Sequence, residues 1–561
     1  MSLMIRWIAL LSIVCILPTN LSADDNDNSI PSITVMQKGA DALIEDLEYL
    51  VQKLTNETEQ KQWVILKDLL DSFKIGIDPA KPLRFDIIYG KGAEQYIVYV
   101  PVPKPNLKVF RMENLFPNGI DTRRPISRGF YKVKDSFTGF MRYYKDTEYA
   151  VFAEEKNQVP KNLAPPIPAI QPLINLGYDL AVHGWNESEG IDTRHETFQE
   201  NRKELTAAIK IRENETEEDF ALRKMLLITQ LDEGERFYAE IKDLVLGWRL
   251  DTGLEKPVGE LELDFSAIEG SSLLKTIELI GNEPSYFAAV PKKENSILSL
   301  RVSHPLDDLR KGNFIKVFEN LRDRTKRHTD DSTDLSAEEK VASKEISDMI
   351  FGIMIEGANQ GILDAFAEVF TSEDKNTIVG GSRCVDQEKV LEVIKKIPVA
   401  RKGQVIELNV VKQGDIQIHK VLLNLEKHKN YETFVGDPNI FIATSDKAIW
   451  YAAGNNALEE LKKVIELAGK EASEKEEHPQ FASLHMKLGP WIDLSEKRNP
   501  EKGDIPRRKM ALEAFANGDD TIDLKLWRQD NNIKGTMKIE QGILSFVGKM
   551  IAEFSKENLD E

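Results

Sequence analysis

Glu260-Leu261-Glu262-Leu263-Asp264-Phe265 carries an apolar side chain at every second position. That period is what a β-strand with one buried and one wet face requires. Gly270-Ser271-Ser272 follows as a turn, and Leu274 to Ile280 reads as the returning strand. The pattern recurs near the end of the chain, where Ile522-Asp523-Leu524-Lys525-Leu526 alternates and Ile533 to Ile539 answers it. Between these markers the period switches to helical spacing and back, which predicts an α+β fold.

Working upstream, residues 24–34 read as a disordered acidic lead. Residues 35–75 read as a helical hairpin, with Leu43, Leu47, Leu50 and Leu54 at helical spacing and a restart at Asn56. Strands are expected at Arg84 to Ile88, Gln95 to Val100, Phe130 to Val133, Gly139 to Tyr144 and Tyr149 to Ala153, with a short helix between Asn106 and Phe116. The proline-rich Pro160 to Pro172 is expected to leave regular structure and cross between sheet edges. Residues 194–248 read as two long charged helices broken near Asn214.

Downstream, Tyr286 to Val290 and Ile297 to Val302 read as strands, followed by helices at 306–326 and 336–370. Ser336 and Glu339 have capping-box spacing. Thr377 to Gly380 reads as strand and Asp386 to Ile397 as helix. Four strands follow, at Val405 to Val411, Ile416 to Leu425, Ile440 to Thr444 and Ala448 to Ala452. Residues 455–469 and a last segment carrying Leu544, Val547, Ile551 and Phe554 read as amphipathic helices.

The element order at 84–175 matches that at 377–469, with Tyr149 to Ala153 set beside Ile449 to Ala453, and the hairpin at 260–280 matches that at 521–541. The expectation is two related halves, 35–282 and 283–561. Each is an antiparallel sheet packed with helices and braced by long helices.

The chain has 561 residues, a formal charge of −19, and 41% hydrophobic and 30% charged residues. This is a globular composition, and the acidic balance argues against nucleic acid as a partner. Arg6, the apolar run Trp7 to Leu17 and Ala23 before Asp24-Asp25 read as a signal peptide spanning residues 1–23. Export to the periplasm or the exterior is expected. No later run is long enough to span a bilayer. Cutting after Ala23 removes Cys15 and leaves Cys384 as the one thiol, so no internal disulfide is expected. Asn56, Asn186 and Asn214 head sequons; Asn56 and Asn214 also have Glu three residues later, which suits helix capping.

Lys74-Ile75-Gly76-Ile77-Asp78-Pro79 with Pro82, Val100-Pro101-Val102-Pro103, Tyr149 to Ala153, Asn532-Ile533-Lys534-Gly535 and Gly542 to Gly548 together give the chain a family likeness. It resembles a broad group of uncharacterised exported proteins of planctomycete-type bacteria. The resemblance implies export and an α+β architecture. No activity is established for that group, so it supplies no site residues.

His183, Asp192, His195 and Glu196 form the densest polar cluster and could hold a metal, although the spacing matches no metal motif. The plainer reading is a solvated helix start capped by Asp192 or Thr193. Cys384 follows Gly380-Gly381-Ser382-Arg383, where a thiolate would be favoured, but no base is near in sequence. The Gly-Gly-Ser lacks the Lys of a phosphate loop, and Gly90-Lys91-Gly92 reads as a hairpin turn. Arg322, Arg324, Lys326, Arg327 and His328 are expected to be neutralised by Asp330, Asp331 and Asp334. Tyr143, Tyr144, Tyr149, Phe152, Trp450 and Tyr451 suit either sheet core or an aromatic groove for a glycan or lipid.

No residue is assigned a catalytic, cofactor-binding or metal role. The expected function is non-enzymatic: an exported binding or interaction protein for a protein, glycan or apolar ligand. One alternative is a carrier of lipid or another apolar molecule, which needs an apolar cavity between the halves. The other is an extracytoplasmic hydrolase, which needs His183, His195 or Cys384 to meet carboxylates in a pocket.

Overall fold

The computed structural model describes residues 33–90, 93–123, 125–135, 139–186, 190–212, 215–361, 363–372, 375–383, 386–401, 404–425, 428–471, 479–498 and 505–559. The expected signal peptide, the lead as far as Ser32, Lys91, Gly92, Glu187, Ser188, Asn214 and Cys384 lie outside the described residues.

The fold is α+β and is built on one antiparallel sheet. Its first ten strands are β1 (Ile33–Gln37), β2 (Leu83–Gly90), β3 (Ala93–Pro101), β4 (Pro125–Ser127), β5 (Phe130–Asp135), β6 (Gly139–Tyr144), β7 (Tyr149–Ala153), β8 (Leu180–Trp185), β9 (Ile241–Asp251) and β10 (Val258–Ala267). The next ten are β11 (Ser296–Ser303), β12 (Asp364–Ser372), β13 (Lys375–Arg383), β14 (Val405–Gln413), β15 (Ile416–Leu422), β16 (Asn439–Thr444), β17 (Ala448–Ala453), β18 (Gln480–Lys487), β19 (Thr521–Gln529) and β20 (Asn532–Ile539). Pairing runs β4-β5-β6-β7-β3-β2-β1-β8-β9-β10, crosses to β20, and continues β19-β18-β11-β12-β13-β17-β16-β15-β14.

Helices lie on both faces. On one, α3 (Pro166–Asn175) packs over Met36 and Ala181, and α10 (Ala457–Leu467) packs over Ile418, Trp450 and Ala452. The other face carries α1 (Ala40–Glu48), α2 (Glu57–Lys74), α6 (Ser272–Leu279), α8 (Ala337–Asn359), α9 (Gln387–Ala400) and α13 (Gln541–Leu559). The long helices α4 (Ile191–Ala208) and α5 (Glu217–Glu240) link β8 to β9, and α7 (Asp308–Asp331) with α8 links β11 to β12. The helices α11 (Gly489–Arg498) and α12 (Ile505–Ala514) link β18 to β19.

Several expectations need correction. The strands do not form two sheets: β10 and β20 pair over eight residues, from Gly259↔Ile539 to Ser266↔Asn532, and make the sheet continuous. Ile33 and Thr34 belong to β1, whose short β-branched run carries little alternation of its own. Residues 241–251 are strand β9 because α5 stops at Glu240, where Ile241 turns extended. Leu274 to Leu279 is helical: the Ser271 hydroxyl accepts from the Leu274 amide at 3.1 Å, and Leu273 and Ile277 share the buried face. The proline-rich stretch contains α3, since Pro166 stands at a first turn that needs no amide donor. Tyr286 to Val290 forms turns, and Phe287 and Val290 still plug the core under β13. Residues 364–372 are strand β12, because α8 ends at a left-handed Gly361.

Candidate functional site

An apolar cavity of about 430 Å3 lies between α7, α8, α9 and the sheet. Each wall is set by a helix whose start the sequence specifies. Asp307 accepts from the Arg310 amide at 2.9 Å to begin α7, Asp386 accepts from Lys389 at 3.0 Å to begin α9, and Ser336 with Glu339 closes the capping box of α8. Side chains four apart then fall on one face: Phe314 with Phe318, Ile350 with Met354, and Val390 with Ile394. Ile442 of β16 and Ile449 of β17 form the floor. Ile350 and Met354 are 40% and 39% exposed, so the cavity opens along α8.

Polar groups at the wall are few and already engaged. Ser382 pairs in register with Ile449 and so faces the cavity, but its hydroxyl donates to the Arg383 carbonyl at 3.2 Å. Arg383, one residue on, is also part of the lining, but strand alternation directs its side chain to the opposite face, where its guanidinium lies 3.7 Å from Glu283. Near the base of α7, burial, with Arg310 beside it, pushes the His304 imidazole down to about 4.

The four polar residues singled out in the sequence do not form one site. His183 on β8 meets Asp243 of β9 at 3.0 Å and tilts against the Trp185 ring. His195 on α4 instead bridges Glu235 at 3.0 Å and Glu240 at 3.5 Å, both on α5. Glu240 is buried and accepts from Ser272 at 2.9 Å and from the Leu273 amide at 2.5 Å, so it caps α6. His195 therefore ties three helices together. Asp192 and Glu196 are exposed, and the cap of α4 is the left-handed Gly190 rather than Asp192 or Thr193. Among the described residues, no three His, Cys, Asp or Glu side chains gather as a metal cluster.

The basic run on α7 is neutralised by other helices. Arg324 meets Asp219 at 2.8 Å, Arg327 approaches Glu218 at 3.8 Å, and Lys326 meets Asp348 at 2.5 Å, whereas Asp330 pairs with Lys344. Gly380 and Gly381 sit inside β13. A Cβ at Gly381 would lie 2.8 Å from Phe366 and 3.0 Å from Trp450, so glycine there makes room for aromatic rings. Tyr143, Tyr149, Phe152 and Trp450 are buried in the sheet core, and Tyr451 is exposed. The cavity itself escaped the sequence reading, because its lining comes from segments spread between Leu306 and Ile449.

Two of the carboxylates buried on the sheet each gather at least one hydroxyl and an arginine. Asp86 accepts from Thr34 and Arg84, both at 2.8 Å. Glu368 accepts from Ser296 at 2.6 Å, Ser299 at 2.5 Å and Arg301 at 2.6 Å.

A carboxylate held well above its usual range lies elsewhere. Burial first, then the charge of Asp179, raises Asp46 on α1 to about 7. The folded chain thus keeps a proton that the unfolded chain releases as pH rises from 3.8 to about 7, so stability falls across that window. Asp46→Asn is expected to raise Tm more at pH 8 than at pH 5. Equal shifts in thermal melts at the two pH values would contradict this.

No family model, curated protein or solved structure matches the chain.

Proposed function

We propose that the protein is a non-enzymatic, extracytoplasmic binding protein of two related halves, and that it carries an apolar ligand in the cavity between α7, α8 and α9. The observation that carries this reading is the cavity. Its volume lies within the roughly 300–1,000 Å3 of small-molecule sites, and its lining is almost wholly aliphatic and aromatic. It lies in the second half, not between the halves as the carrier reading first required. The amino-terminal run Trp7 to Leu17 supports the extracytoplasmic setting. Among the described residues no helix is long and apolar enough to cross a membrane.

Strand register supports the relation between the halves. Across β6-β7-β3-β2-β1-β8, one row of directly opposed residues reads Phe140, Ala153, Ile97, Asp86, Thr34, His183. Across β16-β17-β13-β12-β11-β18, the corresponding row reads Phe441, Ala452, Val379, Glu368, Ser299, His485. Every position is identical or chemically alike, and each strand of the second row is numbered ten above its counterpart. The register sets Tyr149 to Ala153 against Ala448 to Ala452, one residue from the match expected in the sequence. A one-residue slip matters, because it would exchange the two faces.

Gly357 gives a clean test. It lines the cavity from inside α8, and a Cβ there would meet nothing within 4 Å. Gly357→Leu is expected to fill the cavity, to abolish saturable binding of the neutral fluorophore N-phenylnaphthylamine, and to leave Tm unchanged or higher. Gly352→Leu, on the same helix with equally open space but outside the lining, should bind like the parent. Unaltered binding by Gly357→Leu, or none by the parent protein, removes the carrier reading.

A further inference from the structure

We infer that the ligand of this cavity is an uncharged long-chain lipid, such as an alcohol, ester or isoprenoid, and not a fatty-acid anion. The inference rests on the cavity being a ligand site and goes on to name the ligand's chemistry. A carboxylate taken into an apolar cavity loses its hydration, and this is tolerable only where a cation or several donors replace the water. Among the described residues, the lining side chains turned into the cavity supply neither. Its single hydroxyl, Ser382, is spent on the Arg383 carbonyl. The Arg383 guanidinium is carried to the other side of the sheet by strand alternation and lies beside Glu283. Two lysines of α9 are engaged by acids: Lys389 meets Asp386 at 2.8 Å, and Lys396 meets Glu345 of α8. The net charge of −19 adds a long-range penalty for any anion approaching the mouth.

The mouth suits such a ligand. Ile350 and Met354 leave an apolar sill along α8. An uncharged headgroup can stay in the water there and needs no partner in the wall.

The test compares hexadecan-1-ol with hexadecanoate as competitors of bound N-phenylnaphthylamine on the full chain, each below its aggregation limit, at pH 7.4. The alcohol is expected to compete at least about tenfold more strongly, the difference an uncompensated charge would impose at minimum. Hexadecanoate should gain strength as pH falls and its own carboxyl protonates. Equal or stronger competition by hexadecanoate at pH 7.4 overturns the inference and leaves the carrier reading standing. If neither competitor displaces the probe and Gly357→Leu still binds it, both readings are overturned. A second variant, Ser382→Lys, places an ammonium on the cavity wall and is expected to reverse the preference. If it binds the alcohol and the anion in the parent ratio, missing charge is not what excludes the anion, and the inference falls.

Discussion

Glu368→Ala is expected to destabilise the fold by about 3 kcal/mol, the lower end for removing one partner of a buried pair. The carboxylate is 1% exposed and gathers three donors, Ser296, Ser299 and Arg301, from the adjacent strand β11. Without it, two buried hydroxyls and a guanidinium lose their acceptor in the middle of the sheet. Arg301 is one-quarter exposed and can recover some hydration, which holds the cost down. In the matching position, Asp86→Ala should cost at least as much, because Arg84 is only 11% exposed. The guanidinium comes from the adjacent strand β11 for Glu368 and from β2 itself for Asp86. Urea unfolding of both variants, with Arg301→Leu and the Glu368→Ala/Arg301→Leu double variant to complete a cycle, measures the coupling. A cost below about 1 kcal/mol for Glu368→Ala would mean the site is hydrated and not the buried node described.

Much of this framework is legible in the sequence because local pattern and tertiary role agree. Glu260 to Phe265 alternates and forms β10, and Ser336 with Glu339 starts α8 where the capping spacing predicts. Legibility fails where one element passes straight into another. Phe237 to Leu250 runs from helix to strand without a turn residue, so β9 hides in the tail of α5. Gln480 to Lys487 alternates around Ala482, Leu484 and Met486, yet it lies between charged stretches and drew no strand assignment. The polar candidates misled for a different reason: His183 and His195 are close in sequence, but one belongs to a sheet and the other to a helix, each with its own carboxylate. The cavity was illegible because aliphatic residues at helical spacing look the same whether they fill a core or line a void. Only the packing of α7, α8 and α9 distinguishes the two.

The continuity of the sheet leads to the other large effect, which concerns how far the two proposed halves are independent. Their boundary near residue 283 is crossed by more than a linker. β10 and β20 share a full ladder, with Lys534 and Asp264 3.1 Å apart and Lys538 and Glu260 3.6 Å apart across it. Arg236 of α5 reaches Asp307 at the start of α7 at 3.1 Å, and Arg528 donates to the Ile280 carbonyl at 3.1 Å. The last helix, α13, leaves the second half to pack on α2 and the turn at 49–53, where Gly548 sits so close that a Cβ would lie 2.1 Å from the Leu50 carbonyl oxygen. A fragment ending at residue 282 would therefore expose the β10 ladder and the apolar face of α2, and the complementary fragment would expose β20 and α13. Neither fragment should give a cooperative thermal transition alone. Mixed after refolding together, they should form a 1:1 complex with the circular dichroism and melting of the intact chain, and Gly548→Val in the second fragment should weaken that complex by at least about tenfold, since its backbone contact cannot yield. Cooperative melting of either fragment by itself would show that the central ladder joins two self-sufficient domains. Failure to associate would show that the β10–β20 pairing contributes little of the binding energy. The combination expected here, no folding apart and native folding together, is what one sheet running through both fragments demands.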